Sequence, residues 1–152
     1  MPTVTEFYTL GVQMRVNFDR AFDLTVGLEG TYSNDPDDPG KETKYGISKR
    51  WNPQYDIKHL TLEQAKLIYL NAYWKPAGCD SLSYPIDILT FDRSVLYGVS
   101  DAEKWAEEAN SWDDILFCSL QHIVDHWNPK YAKGWINRIL KLWAVFNVNQ
   151  VS

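Results

Sequence analysis

The 152-residue sequence lacks an apolar run long enough to cross a membrane and lacks a cysteine framework. A membrane span needs about 20 consecutive apolar residues. The two cysteines, Cys79 and Cys118, are far apart, which favours reduced, buried thiols over a disulfide. The first fifteen residues lack a basic start followed by an apolar stretch, so no signal peptide is predicted and synthesis is expected in the cytoplasm.

The chain also lacks an excess of positive charge. It has 20 acidic and 15 basic residues, a net charge of −5, which argues against a general nucleic-acid binder. Its apolar fraction of 45% and charged fraction of 23% are ordinary for a globular protein. The length suits a single domain that can bury a core.

The first strong pattern is an amphipathic helix that is predicted to end at Glu29. Gly30 fits the position just past a helix end, where glycine adopts the left-handed conformation. Glu29 would then lie in the partial negative charge of the helix end, which raises its pKa, and Tyr32 or Tyr45 would desolvate it further. A raised pKa suits a general acid. The alternative is a solvated glutamate that happens to precede a glycine. The apolar face of the helix consists of Phe18, Ala21, Phe22, Thr25 and Val26.

An acidic loop over residues 31–47 follows this helix. Asp35-Pro36 and Asp38-Pro39-Gly40 are turn sequences, which predict a compact, irregular hairpin. A tight loop would bring one of its aspartates opposite Glu29, and two carboxyl groups across a cleft are the working groups of most glycosidases. The alternatives are a calcium site or a solvated acidic turn. The calcium alternative is weak because the spacing of an EF-hand is missing.

These residues resemble the signature of glycoside hydrolase family 108. Members of this family are lysozyme-like N-acetylmuramidases, found as phage endolysins and as secretion-associated wall hydrolases. The resemblance extends over roughly residues 17 to 142. It is carried by Glu29-Gly30, Asn34-Asp35-Pro36-x-Asp38-Pro39-Gly40, Thr43-x-Tyr45-Gly46-Ile47, Leu60-Thr61 with Ala65 and Tyr69, Tyr73-Trp74, Phe91-Asp92, Gly98, Ala102 and Gly134-Trp135-x-Asn137-Arg138.

The resemblance implies a mainly α, lysozyme-like single domain of about six helices, with an irregular hairpin loop beside the active-site cleft. Residues 1–16 form an arm of unknown role, and 17–152 form the muramidase domain, of which about 85–152 resembles the family's peptidoglycan-binding region. The implied activity is hydrolysis of peptidoglycan glycan strands at the bacterial wall, without a cofactor. A holin or a secretion system is the expected means of delivery, and the chain is expected to act as a monomer.

The resemblance also assigns site residues. Glu29 matches the family's catalytic glutamate. Asp38 and Thr43 fall where phage-type lysozymes place an aspartate and a threonine that hold the attacking water. Aromatic rings stack on pyranose faces, although Trp51 has the alternative of filling the core. Substrate contacts are expected from Tyr32, Asp35, Tyr45 and Trp51.

Two positions depart from the family pattern. Thr31 replaces the second glycine of Glu-Gly-Gly and would narrow the cleft. Lys41 replaces the second glycine of Pro-Gly-Gly, and it would be strained if that position has positive φ. Because of these departures, a second hypothesis is that the chain is a catalytically impaired module that binds wall glycan or a protein partner. A lytic transglycosylase, which would use the same glutamate, is a third hypothesis.

Further helices are predicted downstream. A capping box at Thr61 opens one whose buried stripe is Leu62, Ala65, Ile68, Tyr69 and Ala72. Pro85 opens the most apolar helix, in which Asp92 is expected to form a structural salt bridge. Three more helices are predicted over 101–110, 113–127 and 130–146, with Val124 and Trp143 on buried faces.

Two polar patterns in the second half have alternative interpretations. His122 and His126 lie four residues apart, as zinc ligands can, but a third ligand is missing and no metal is expected. Residues 128–152 carry four cations and no acid: Lys130, Lys133, Arg138 and Lys141. They would attract an anionic wall polymer or membrane surface, or else complement the acidic helix at 101–110.

Overall fold

The computed structural model describes residues 16–27, 30–35 and 39–148. The chain divides into two compact units, Met1–Pro76 and Ala77–Ser152. The described residues form six α-helices and three short strands, which confirms the expected mainly α fold with about six helices. Residues 1–15 of the predicted arm lie outside the described residues.

The first helix, α1, covers 16–25, and its end differs from the prediction. The amides of Val26 and Gly27 both donate to the Phe22 carbonyl, at 2.8 and 3.2 Å. Gly27 has a φ of +83°, whereas Gly30 is not among the glycines with positive φ. The prediction that the helix ends at Glu29 with Gly30 as its cap is therefore wrong, because Gly27 takes the left-handed position first.

A three-stranded antiparallel sheet follows, with strands β1 (Ser33–Asn34), β2 (Glu42–Lys44) and β3 (Ile47–Ser48) in that order. Ser33 pairs with Thr43, so β1 and β2 close the loop over 35–41. This is the predicted hairpin, although its strands pair regularly for two residues. Lys44 pairs with Ile47 across a two-residue turn whose residues, Tyr45 and Gly46, have φ of 50° and 72°. Positive φ at both positions is typical of a type I′ hairpin turn.

Helix α2 (Leu62–Tyr69) continues as a π-helix over Leu70–Trp74. The predicted capping box is confirmed: the Gln64 amide donates to Thr61 Oγ1 at 3.2 Å, and the Thr61 amide donates to Gln64 Oε1 at 3.0 Å. The buried side of this segment packs on α1, where the Phe22 and Tyr69 rings meet edge to face at 5.4 Å. The predicted stripe is wrong in part, since Ala72 is exposed and Ile68 is half-buried.

The second unit begins with a 3-10 turn over Cys79–Ser81. Four helices follow: α3 (Ile86–Tyr97), α4 (Val99–Glu108), α5 (Trp112–Asp125) and α6 (Ala132–Asn147). All eight residues over 87–94 are buried, so this part of α3 is enclosed on every side, as its composition predicts, whereas Leu96 near its end is exposed. Helix α4 begins before Asp101, since Gly98, with a φ of 100°, is its N-cap residue. The predictions for Val124 and Trp143 are wrong, because these side chains are 63% and 45% exposed.

A buried ion cluster joins α3 to α6. The Asp92 carboxylate is fully buried and accepts hydrogen bonds from both Arg93 and Arg138. Burial by itself would raise the pKa of Asp92, but the Arg93 charge and the Arg138 hydrogen bond outweigh it and lower that pKa. The predicted structural salt bridge at Asp92 is confirmed. Arg138 is one of the four cations noted over residues 128–152, and it pairs with Asp92 within the fold.

Candidate functional site

The two carboxylates predicted to do the chemistry, Glu29 and Asp38, lie outside the described residues. The described neighbours of both positions are placed by the three-stranded sheet. Thr43, predicted to hold water, is half-buried in the central strand β2 and pairs with Ser33 on one side and Ser48 on the other. The sheet therefore fixes the backbone on both sides of the acidic loop.

The ring of Tyr45 lies against the backbone of Gly30. A Cβ built on Gly30 would overlap the ring carbons of Tyr45, so only glycine fits here without moving that ring. This contact brings Tyr45 beside the residue that follows Glu29. The sequence indicated that a glycine is needed at position 30 but gave the wrong reason, since close approach of a ring requires it and not the end of a helix.

The turn that carries Tyr45 is anchored to α2. The Tyr69 hydroxyl donates to the Tyr45 carbonyl at 3.0 Å. A Cβ on Gly46 would lie 2.7 Å from that hydroxyl, which explains the glycine at this position. Burial raises the pKa of Tyr69 well above its usual range, so the hydroxyl keeps its proton and remains a donor.

Tyr32 and Asp35, both predicted to contact substrate, differ in their surroundings. The Tyr32 hydroxyl donates to Glu42 Oε1 at 2.7 Å, and this hydrogen bond raises the pKa of Tyr32. Tyr32 thus braces the hairpin, with its hydroxyl already bonded inside the fold. Asp35 is exposed at the end of β1.

Both departures from the family pattern lie among the described residues. Lys41 has a φ of 59°, which confirms the predicted backbone strain at this position. The chain just before it is held from the other side of the loop, since the Arg50 amide donates to the Gly40 carbonyl at 3.4 Å. Thr31 is exposed and is not among the residues with positive φ, so its backbone conformation is ordinary.

Trp51 is 75% exposed, so the alternative that it fills the core is wrong. The Arg50 guanidinium lies 5.1 Å from the centre of its ring. A large ring held in this way at the surface presents a flat apolar face for stacking.

An open groove of about 740 Å³ is lined by residues that follow Trp51 in the sequence, from Asn52 to Ala72. One wall is a face of α2 and its π-helical extension, with side chains at helical spacing. Sequence analysis missed this groove, since it assigned the same spacing to the core. The wall residues on this side are Gln64, Leu67, Ile68, Asn71 and Ala72.

The opposite wall of the groove is the loop over 52–60, and the carboxylate and the imidazole with which it lines the groove, Asp56 and His59, contact each other. Asp56 Oδ2 lies 3.0 Å from His59 Nδ1, and the hydrogen bond from His59 lowers the pKa of Asp56. The loop is held in place by the fully buried side chain of Ile57 and by Lys49 Nζ, which donates to the Tyr55 carbonyl at 2.7 Å. The groove is therefore formed by well-anchored elements.

The histidine pair predicted to be a weak zinc candidate forms a ring stack. His122 and His126 stack with centroids 4.3 Å apart, and His122 also meets the edges of Tyr97 and Trp105. Across the described parts of the chain, no group of three or more His, Cys, Asp or Glu side chains is arranged to hold a metal ion. Cys79 is buried and Cys118 is half-buried, and both are free thiols.

Within residues 16–27, 30–35 and 39–148, every helix is too short or too polar to span a membrane.

The mainly helical architecture has a counterpart among solved structures. A structure described as that of Brucella abortus SagA is similar to this chain, with a TM-score of 0.66 and 22% sequence identity. The likeness covers 86% of this chain and 93% of that chain, and it confirms the expected lysozyme-like fold.

The family of the chain is shown by the match of a sequence model. The model for glycosyl hydrolase 108 matches residues 22–98, half of the chain. The chain belongs to this family, so its expected substrate is a glycan. The matched segment includes the end of α1, the sheet, α2 and α3, together with positions 29, 38 and 43. A search among curated proteins found no match.

Proposed function

We propose that this protein hydrolyses the β-1,4 bond between N-acetylmuramic acid and N-acetylglucosamine in bacterial peptidoglycan. The observation that carries the proposal is the family match over residues 22–98, which spans Glu29, Asp38 and Thr43. The contact between Tyr45 and Gly30 supports it, because it ties the hairpin to the residue next to Glu29. The substrate makes the bacterial wall the site of action.

In the proposed reaction, Glu29 donates its proton to the glycosidic oxygen as the bond to the leaving sugar breaks. Asp38 orients or activates the attacking water and stabilises the positive charge that develops on the sugar ring. Thr43 helps to hold that water, and its backbone is paired on both sides in the central strand. The leaving sugar departs with the proton of Glu29, and the proton that the attacking water loses passes to Asp38.

A general acid must keep its proton near neutral pH. Helix α1 ends at residue 25, so the predicted helix end at position 29, which was the reason given for a raised pKa, is wrong. We propose that the Tyr45 ring supplies the desolvation instead, because it packs on the adjacent glycine. Tyr45 would then act as a positioning residue in addition to contacting the sugar.

The test compares the unmodified protein with Glu29→Gln on purified sacculi and peptidoglycan zymograms. Removing a general acid should reduce the release of reducing sugar by roughly 10²–10⁴-fold. Glu107→Gln, which alters an exposed glutamate in α4, is the matched control and should retain activity. Thermal unfolding of both variants should match that of the unmodified protein, so that any loss reflects chemistry.

Two results would overturn the proposal. Release of no reducing sugar by the unmodified protein, with wall binding intact, would identify a glycan-binding module. Mass spectrometry that finds anhydro-sugar ends in the digest would identify a lytic transglycosylase. Reducing N-acetylmuramic acid ends are the result expected for hydrolysis.

The binding module is a second candidate because of one specific observation. Lys41 adopts a left-handed conformation at a position where the family pattern has glycine, so the loop that contains Asp38 carries strain. A module that only binds the wall glycan needs the shape of this loop, but it does not need proton transfer from Glu29. Under this alternative, Glu29→Gln changes neither wall binding nor the zymogram.

A further inference from the structure

The groove between α2 and the loop over 52–60 is not used by the proposed reaction. None of the described residues of segment 30–48 lines it. Leu67 is 57% exposed within it, and Ile68 and Ala72 remain partly open to solvent. Seven of the eleven residues that line the groove are polar and four are apolar, so the groove combines hydrogen-bonding groups with uncovered apolar side chains, as a site for a polar ligand does.

The helix that forms one wall is irregular at this point. Residues Leu70–Trp74 are π-helical, and Asn71 and Ala72 of the groove belong to this turn. Single π-helical turns occur frequently at functional sites. Here the turn displays Asn71 and Ala72 in the groove while Trp74 is buried in the core.

The charges of the groove disfavour anionic ligands. No lysine or arginine is among the described residues that line it, so phosphate or carboxylate groups would lack a cationic partner. The Asp56 carboxylate already has a partner in the His59 ring, with Oδ2 at 3.0 Å from Nδ1. A neutral ligand therefore matches this lining better than an anionic one.

Four amide side chains line the groove, and three of them, all except Gln54, have one end already bonded within the fold. Gln64 and Asn71 use their carbonyl oxygens inside the fold, accepting from the Thr61 amide at 3.0 Å and from Lys75 Nζ at 3.1 Å. Their amide nitrogens remain to donate. Asn52 does the reverse: its Nδ2 donates to the Ser48 carbonyl at 3.2 Å, which leaves Oδ1 to accept.

We propose that this groove binds an N-acetylated pyranose of the wall glycan, as a glycan contact additional to the one made at the hairpin. An acetamido group offers one carbonyl and one N–H, which complement the donors of Gln64 and Asn71 and the acceptor of Asn52. The apolar face of the sugar ring would lie on Leu67 and Ala72. The choice of sugar rests on the proposed function, and the exposed Trp51 ring lies next in sequence to the groove.

The experiment is an NMR titration of the full chain in its Glu29→Gln form, which prevents cleavage if the proposed reaction is correct. The probe is the tetramer of N-acetylglucosamine. Amide shifts are expected to change over 52–60 and 64–72. A glucose tetramer that lacks acetamido groups should bind roughly tenfold more weakly, the value of about one lost hydrogen-bond pair.

A matched pair of variants tests the location. Ala72→Trp places a large ring in the groove at an exposed position and should weaken binding of the N-acetylglucosamine tetramer roughly tenfold or more. Ala144→Trp makes the same change at an exposed position of α6 and should leave the dissociation constant unchanged within about twofold. If Ala72→Trp fails to fold, Asn71→Ala replaces it, with Asn137→Ala as its control.

Three results would overturn this inference. The first is a titration in which the amide shifts of the groove residues do not change. The second is a dissociation constant for the N-acetylglucosamine tetramer that neither Ala72→Trp nor Asn71→Ala alters. The third is tighter groove binding of a neutral acetylated tetra-alanine peptide, which would assign the groove to the peptide part of the wall. The titration does not depend on bond cleavage. A negative zymogram with intact groove binding would therefore overturn the proposed function alone.

Discussion

The hairpin over 30–48 and helix α3 differ in how their residues are packed. In α3, eight consecutive residues are buried and the charged Asp92 has two arginine partners. In the hairpin, most described residues are exposed or half-buried, and both non-glycine residues with positive φ in the described chain, Lys41 and Tyr45, lie there. Helix α3 therefore contributes mainly to the stability of the fold, whereas the hairpin mainly fixes the positions of a few side chains.

This difference shows where backbone strain is tolerated. Strained residues persist where surrounding contacts over-determine them, and they concentrate at functional sites. The Tyr45 conformation is fixed by a hydrogen bond from Tyr69 and by the contact of its ring with Gly30. We therefore expect changes in α3 to alter stability and changes in the hairpin to alter activity.

The largest effect is expected from Asp92→Asn. Removing the anion leaves the Arg93 and Arg138 charges without their partner in the core, which should lower the free energy of unfolding by about 3–5 kcal/mol. Urea denaturation measures it, with Asp101→Asn, an exposed aspartate in α4, as the control. A loss below about 1 kcal/mol would mean that the cluster does not stabilise the fold.

The same cluster predicts a pH dependence. The pKa of Asp92 is lowered in the folded state, so its stabilising contribution is complete above the unfolded pKa of about 4. The contribution is lost as the pH falls below that value toward the folded pKa. Urea midpoints at pH 7, 5 and 3 should therefore fall more steeply below pH 4 in the unmodified protein than in Asp92→Asn. Parallel curves would contradict this.

Gly30→Ala tests the hairpin side of the comparison. The new methyl group must displace the Tyr45 ring, which should lower activity roughly tenfold and cost about 1–2 kcal/mol of stability. In a Tyr45→Ala background, the same substitution should have little further effect, because the ring that it displaces is gone. Additive losses in this double-mutant cycle would show that the contact has no role.

The smallest effect is expected from Lys41→Gly. Glycine adopts the φ of 59° without strain, so stability should rise by about 0.5–1 kcal/mol despite the greater freedom of the unfolded chain. Thermal unfolding measures the change. The control is Lys133→Gly, which should lower the stability of the protein because glycine is unfavourable inside helix α6. Increased wall hydrolysis in Lys41→Gly would show that the strain limits activity. Unaltered hydrolysis would confine the effect to stability.

The parts of the fold that were predicted from sequence depend on local rules. The capping box at Thr61 and the burial of α3 follow from hydrogen bonds and apolar spacing within a few residues. The end of α1 was misplaced because two glycines, Gly27 and Gly30, both satisfy the rule for a helix end. The two glycines differ in a tertiary contact: the ring of Tyr45, fifteen residues further along the chain, packs against Gly30 and not against Gly27.

The candidate site divides in the same way. Glu29 was singled out by its predicted place at a helix end, Asp38 and Thr43 were assigned by the family resemblance, and the family match spans all three positions. The groove was missed, since the i, i+3, i+4, i+7 spacing of its helical wall is the same whether a face packs on a core or stays open. Which neighbour covers a helix face depends on residues distant in sequence.

The sequence by itself determined the helical composition, the hairpin, the buried partner of Asp92 and the family, because each is written in short-range patterns. Tertiary structure alone decided that Gly30 accommodates a ring, that Lys41 is left-handed, and that Ile68 and Ala72 face a groove. These outcomes depend on which distant side chains meet, and packing sets that through shape and volume, which linear spacing does not encode.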